Sequence, residues 1–398
     1  MKKVKKMKRK KQRRLIIIFV IILLTGLGLF LYSSNLDFIV FDKETKATLG
    51  EIEEVKWLGN GIFDKYYDKT NKKLSELTLD EKIGQLLLVS YPSYNQVELL
   101  KKYNFGGYLF FEKDFRYKSL AGVKKMISDL GGVSKIPILT AVDEEGGTVV
   151  RVSSNRNLAP STFKSPRTLY KQGGFDKIRE DTINKSKVLS ELGINLNLAP
   201  VVDMAGNTWD YMYDRSISGD KEIVQNYAKT VIEASKETQV SYTLKHFPGY
   251  GNNSDTHTGT SVDKRSYDEL MNNDIVPFKV GIEAGAEAVL VSHNIVKAID
   301  KNNPASLSSE IHKLLRGELG FTGVIITDDI AMYAASSVKN PTVKAILAGN
   351  DMVITTNYVA SINEIKKALS SGELLEEQID SLVFRVLAWK YYKGLIND

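Results

Sequence analysis

The chain has 398 residues, 43% hydrophobic and 26% charged, a balance that excludes a disordered polyelectrolyte and leaves room for one large domain or two medium ones. Its net charge of +6 belongs to the first fourteen residues, MKKVKKMKRKKQRR, whose ten Lys and Arg are opposed by no acid; subtracting those ten leaves −4 for the rest. The body therefore carries no electrostatic footprint for nucleic acid, and the absence of cysteine excludes disulfides, thiolate metal ligands and cysteine nucleophiles.

The basic tail runs into eighteen uncharged residues, Leu15–Tyr32 (LIIIFVIILLTGLGLFLY), which as a helix cover most of a hydrocarbon core of roughly 30 Å. Positive charge on the N-terminal side places that end in the cytoplasm and the body outside. A cleaved secretory signal shares this layout, but the run is long for one and no small-x-small cleavage site follows it. The expectation is a single transmembrane signal-anchor at 15–32 after a cytoplasmic tail at 1–14, with the body outside the cell membrane. Residues 33–72 read as a mixed-charge stalk, and 73–398 as the catalytic domain.

From LTLDEKIGQLLLV onward, eight apolar, β-branched runs alternate with amphipathic stretches. They lie at 83–91, 106–111, 136–143, 194–203, 241–247, 288–296, 323–330 and 351–356. Near-continuous apolarity means strands buried on both faces, hence parallel, and eight of them with intervening helices predict an α/β fold of the TIM-type (β/α)8 barrel, preceded by the N-terminal transmembrane helix. Such barrels hold their chemistry at the C-terminal ends of the strands. Those ends read Glu112, Asp143-Glu144-Glu145, Asp203, Lys245-His246, His293-Asn294, Asp328-Asp329 and Asn357. Any one strand must end in something polar; seven such ends out of eight together point to a site. Three of the four histidines, His246, His257 and His293, fall on that face, while His312 has a helical context that assigns it to packing.

No G-x-S-x-G, no phosphate loop and no H-E-x-x-H helix occurs. A metal site drawn from His246, Asp255, His257 and His293 is opposed by Lys245 beside the first histidine, so neither a metal nor another cofactor is expected. A carboxylate with a nearby proton donor fits glycosidic cleavage: Asp328 or Asp329 at a rigid strand end, and a donor in the Asp255-Thr256-His257 loop. In an extended segment residues i and i+2 share a side, so Asp255 can orient the imidazole of His257, a group that titrates near neutrality.

The motifs LTLDEKIGQLLLV, DEEGGTVVR, NLNLAPVVD, KHFPGYGNNSDTH, ELGFTGVIITDDIAM and AGNDMVI, in this order from about Leu77 to the C-terminus, resemble those of glycoside hydrolase family 3, in its bacterial β-N-acetylglucosaminidase branch. The resemblance implies a retaining hydrolysis through a covalent glycosyl-enzyme, with Asp328 as nucleophile, His257 as acid/base and Asp255 as its orienter. It also implies sugar binding by Asp143, Arg151, Arg215, Lys245 and His246, and a carbohydrate substrate derived from peptidoglycan or a related glycan. Two positions depart from the family pattern: Tyr250 where a histidine is usual, and Thr148 where an arginine is usual. The competing readings are a β-glucosidase or xylosidase, a catalytically weak glycan-binding protein held at the membrane, and a metalloenzyme. The D-x-H loop argues against the first, and Asp328, Asp255 and His257 as a set against the second. The glycines of EEGG and GYG are expected to permit tight turns.

Overall fold

The computed structural model describes residues 61–253, 256 and 259–397. The tail, the apolar span 15–32 and most of the expected stalk lie outside the described residues, as do Asp255 and His257. Among the described residues no helix is long and apolar enough to cross a membrane.

Eight parallel strands follow one another around a barrel: β1 (Leu87–Ser90), β2 (Gly107–Phe110), β3 (Leu139–Val142), β4 (Leu196–Asn197), β5 (Ser241–Phe247), β6 (Ala288–Val291), β7 (Val324–Thr327) and β8 (Val353–Thr355). Ladder pairs such as Leu87↔Val353 join β8 to β1, and an Ile326↔Met352 bridge joins β7 to β8, bringing the sheet close to closure. Every residue of β2, β3, β5, β6 and β7 is buried, as strands covered on both faces must be.

All eight apolar runs contain a strand, but three are cut short. The run at 83–91 starts as a helix, because Thr78 and Glu81 form a reciprocal capping box that carries Leu79–Gln85 in helical geometry. The run at 194–203 enters the ladder only at Leu196–Asn197, and the run at 288–296 leaves the barrel after Val291. Its tail, Ile295–Val296, pairs with Val262–Asp263 in a separate two-stranded ribbon.

The compact body begins at Ile62, earlier than the boundary at residue 73 expected from composition. Phe63 and Tyr67 lie 5.4 and 5.3 Å, ring to ring, from Tyr392 and Phe384 of the closing helix Glu376–Tyr392, so an aromatic seam makes the segment part of the fold. At the N-terminal end of the barrel the same closing helix is tied by hydrogen bonds. Trp389 Nε1 donates to Glu287 at 2.8 Å and Lys390 Nζ to Gln85 at 2.6 Å. Polar groups at this end thus tie the closing helix to the barrel, while the ionisable strand ends gather at the opposite one.

Candidate active site at the C-terminal end of the barrel

Strand β3 ends in Asp143-Glu144-Glu145, and the three acids have three different tasks. Glu144 turns back into its own loop. It accepts from the backbone N–H of Arg151 and Val152 at 2.8 and 2.7 Å and from the Ser153 hydroxyl at 2.5 Å. The turn that allows this runs through Gly146 and Gly147, at φ +100° and +69°; a Cβ on Gly146 would stand 2.2 Å from the Lys164 carbonyl oxygen. The expected role of those glycines is therefore met by geometry.

Glu145 is buried between two cations. Arg215 donates Nε and Nη2 to its two oxygens at 2.9 and 2.7 Å, and Lys245 Nζ stands 2.7 Å from Oε1. Burial alone would raise the Glu145 carboxyl, but the charges of Arg215 and Lys245 reverse this and hold it far below the usual carboxylate range. Lys245 also donates to Asp143 Oδ1 at 2.7 Å, and Arg151 Nη2 approaches Asp143 Oδ2 at 3.8 Å. Arg151 Nε is buried with no hydrogen-bond partner among the described residues, so this guanidinium retains a donor.

In a regular strand Lys245 and His246 would face opposite sides. Here the ladder to β6 shifts register between Leu244 and Phe247. Both side chains serve the same end of the barrel. His246 pairs through Nδ1 with Asp203 Oδ2 at 2.7 Å, and its Nε2 lies 3.3 Å from Arg215 Nη2. Asp203 is fully buried and also accepts from the backbone N–H of Tyr250 at 2.7 Å. Both ring nitrogens of His246 are thus engaged, one by Asp203 and the other near Arg215.

Asp328 follows β7 directly, and its N–H donates to Val291 of β6 at 2.9 Å. Burial pushes its carboxyl up, but His293, His246 and Lys245, with an N–H donated by Asp329, outweigh this and lower it below the ordinary value. Asp329 shifts the opposite way. Burial and the charge of Asp328 raise it, while its oxygens accept from Ala331 N–H at 2.9 Å and Thr356 Oγ1 at 3.0 Å. Two adjacent carboxyls pushed apart in this manner divide into an ionised group and a structural acceptor. His293 supports the same turn, with Nδ1 2.6 Å from Ser306 Oγ and Nε2 3.0 Å from the Asp329 carbonyl oxygen. His312 is buried in its helix, bonded through Nδ1 to the Ser308 carbonyl, and burial pushes it down to about 4; it is a packing residue, as its context predicts.

Tyr250 is buried where the family pattern has histidine. Its hydroxyl accepts the Thr256 N–H at 3.0 Å and shares a 2.8 Å hydrogen bond with Thr256 Oγ1. Thr256 is fully buried and is the middle residue of Asp255-Thr256-His257. Tyr250 therefore joins the Asp203–His246 pair, through its own N–H, to the center of that tripeptide. Removing the hydroxyl in Tyr250→Phe strands two buried polar groups at about 1–3 kcal/mol. The thermal midpoint is expected to fall by several degrees, and Thr256→Val is expected to cost less in that background than in the parent chain. Additive losses in the calorimeter would contradict the pairing.

The structure thus brings together Asp143, Arg151, Arg215, Lys245 and His246 and orders Asp328 as an ionised carboxylate at the same end. The residues not chosen from sequence are Glu145 and Asp203, the anions that hold Arg215, Lys245 and His246 in place. Both are acids at strand ends, but nothing local separates Glu145, paired with Arg215 and Lys245, from Glu144, turned into its loop.

Residues 78–389 match the glycosyl hydrolase family 3 N terminal domain. Among curated proteins the chain is similar to a beta-hexosaminidase of Xanthomonas campestris pv. campestris, 32% identical over 300 residues, covering 73% of this chain and 88% of that protein. It is likewise 32% identical over 325 residues to the beta-hexosaminidase LpqI of Mycobacterium tuberculosis, covering 78% and 82%. Among solved structures it is similar to a glycoside hydrolase family 3 beta-N-acetylglucosaminidase from Paenibacillus, with a TM-score of 0.75 and 29% identity over 81% of this chain and 64% of that one.

Proposed function

This chain belongs to glycosyl hydrolase family 3 and is a glycoside hydrolase, and from that premise we propose that it is a retaining exo-β-N-acetylglucosaminidase acting on peptidoglycan-derived or related glycans. The observation that carries the proposal is the Asp328 carboxyl at the end of β7, buried beside His293, His246 and Lys245 and held by them below its ordinary value. A carboxylate kept anionic at a rigid strand end suits attack on an electrophilic carbon, and the neighbouring cluster of donors suits sugar hydroxyls. The names of the similar proteins above favour GlcNAc over glucose or xylose.

In the first step the Asp328 carboxylate forms a C–O bond to the anomeric carbon as the glycosidic C–O bond breaks. The proton on His257 goes to the departing oxygen. In the second step His257 takes a proton from water, the water oxygen bonds the anomeric carbon, and Asp328 leaves as carboxylate. Asp255 holds the imidazole in the tautomer this requires. Lys245 and Arg151 bring Asp143 and themselves to the sugar, and His246, held by Asp203, adds a further polar contact.

Measured against a panel of aryl β-glycosides, the β-GlcNAc compound is expected to turn over at least about a hundredfold faster than the β-glucoside or β-xyloside. Comparable rates would remove the GlcNAc assignment. Residues 15–32 would hold the enzyme at the outer face of a membrane, a placement opposed if the full chain and a chain beginning at Ile62 fractionate alike.

A further inference from the structure

The segment between β4 and the helix Lys221–Ser235 is a closed loop with two functional ends. Its base is shut by the Ser216 hydroxyl, 2.8 Å from both the Asp203 and Ser218 carbonyl oxygens, and by Ala205 N–H donating to Ser218 at 3.1 Å. Gly206 and Gly219 meet there so closely that a Cβ on Gly219 would lie 2.5 Å from the Gly206 Cα. The inner side of the loop, Ala205 and Met212, packs with Tyr250 in a small apolar cluster separate from the main core. Arg167 braces it from outside, its guanidinium 4.1 Å over the Tyr213 ring and its Nη2 2.7 Å from the Ala205 carbonyl oxygen.

One end of this loop delivers Arg215 to Glu145 and His246. Its middle places the Tyr211 ring 5.6 Å from Tyr250, which stands edge-on to His246 at 5.8 Å. Its tip is the turn Asn207–Asp210, held by Asp210 N–H to the Asn207 carbonyl at 2.9 Å, Asn207 N–H to the Asp210 carboxylate at 2.9 Å, and Trp209 N–H to Asn207 Oδ1 at 3.1 Å. On that bonded turn sits Trp209, 92% exposed, the most exposed of the large hydrophobic residues described. The turn fixes the backbone beneath the indole and leaves its flat apolar face uncovered. Tyr117, 91% exposed after β2, and Tyr94, 74% exposed after β1, are further uncovered aromatics on loops leaving the same end of the barrel.

We propose that Trp209 is a stacking platform for the sugar on the leaving-group side of the cleaved bond, so that the site takes a β-GlcNAc unit joined to a second pyranose. This rests on the exo-β-N-acetylglucosaminidase reading above. An exo-acting site holds the terminal sugar at the barrel end, and whatever follows it must leave across the loop tips. A pyranose presents a face of C–H bonds, which an indole held in place covers with little loss of rotamer freedom.

The chain has three tryptophans, and the other described one, Trp389, is fully buried. Tryptophan emission of the full chain carrying Asp328→Asn is to be followed while a β-linked GlcNAc disaccharide or free GlcNAc is added, with binding measured in parallel by calorimetry. The disaccharide is expected to shift the emission to the blue and free GlcNAc to bind without that shift; Trp209→Phe abolishes the shift. In the active chain, Trp209→Ala is expected to lower the ratio of kcat/KM for the disaccharide to that for β-GlcNAc fluoride by roughly three- to tenfold. Disaccharide binding with unmoved emission, or an unchanged ratio in Trp209→Ala, overturns the platform. If calorimetry finds neither sugar bound, the β-N-acetylglucosaminidase reading fails first and the platform falls with it.

Discussion

Asp328→Asn is expected to lower turnover of an aryl β-GlcNAc glycoside by about 10⁴-fold or more, roughly 5 kcal/mol of barrel-end chemistry. The reason is local. The surroundings of Asp328 favour the charged form by placing His293, His246 and Lys245 around it and an N–H on one oxygen, and an amide has neither the charge nor the nucleophilicity. The backbone bond from residue 328 to Val291 does not involve the side chain, and an amide oxygen can still accept the Asp329 N–H, so the change is expected to fall far more on turnover than on stability. Asp329→Asn is the informative contrast. That carboxyl is bonded to Ala331 N–H and the Thr356 hydroxyl, so its loss is expected to reduce stability and leave a far larger share of turnover. Equal losses of turnover in the two variants would contradict the division of roles.

The second large effect is expected at Glu145, and it falls on stability as well as activity. Glu145→Gln leaves Lys245 and Arg215, both held close to a buried carboxylate, sharing a neutral amide. Breaking a buried ion pair on one side costs about 3–5 kcal/mol, which corresponds to a fall of roughly 10 °C in thermal midpoint. KM should rise with it, since Lys245 and Arg215 lose the anchor that aims them. The pH dependence has a definite sign. The folded-state carboxyl titrates below its unfolded value of 4.5, so its contribution is complete above that value and drains away as the pH falls through the window beneath it. The gap between parent and variant midpoints is therefore expected to narrow from about pH 5 downward; a gap that widens in acid would contradict the assignment.

The strands were legible because burial on both faces leaves little room for polar residues, and seven-residue β5 reads as the continuous run SYTLKHF. The ends of the runs were less legible. A capping box at Thr78 and Glu81 overrode the apolar pattern of 83–85, and the ribbon of Ile295–Val296 with Val262–Asp263 took over the tail of the sixth run. In the site, the residues at strand ends were readable because the barrel dictates where chemistry sits. What holds them was not. Arg215 is seventy positions from Glu145 and His246 forty-three from Asp203, and no local pattern reports a pair that only folding makes. The shift of register that lets Lys245 and His246 serve one end of the barrel likewise contradicts strand alternation. Tyr250 read as a departure from the family; in the fold its hydroxyl meets Thr256, a partner visible only in three dimensions.

The covalent step through Asp328 is the center of the account, and one measurement addresses it without relying on rates. The full chain, incubated with a 5-fluoro β-GlcNAc reagent that slows release of the glycosyl-enzyme, is digested and read by mass spectrometry. The account predicts one added fluoro-N-acetylglucosaminyl group on the peptide containing TDDIAM, fragmenting to Asp328. Label on Asp329 or Asp143, or turnover of the reagent with no labelled peptide, would contradict it.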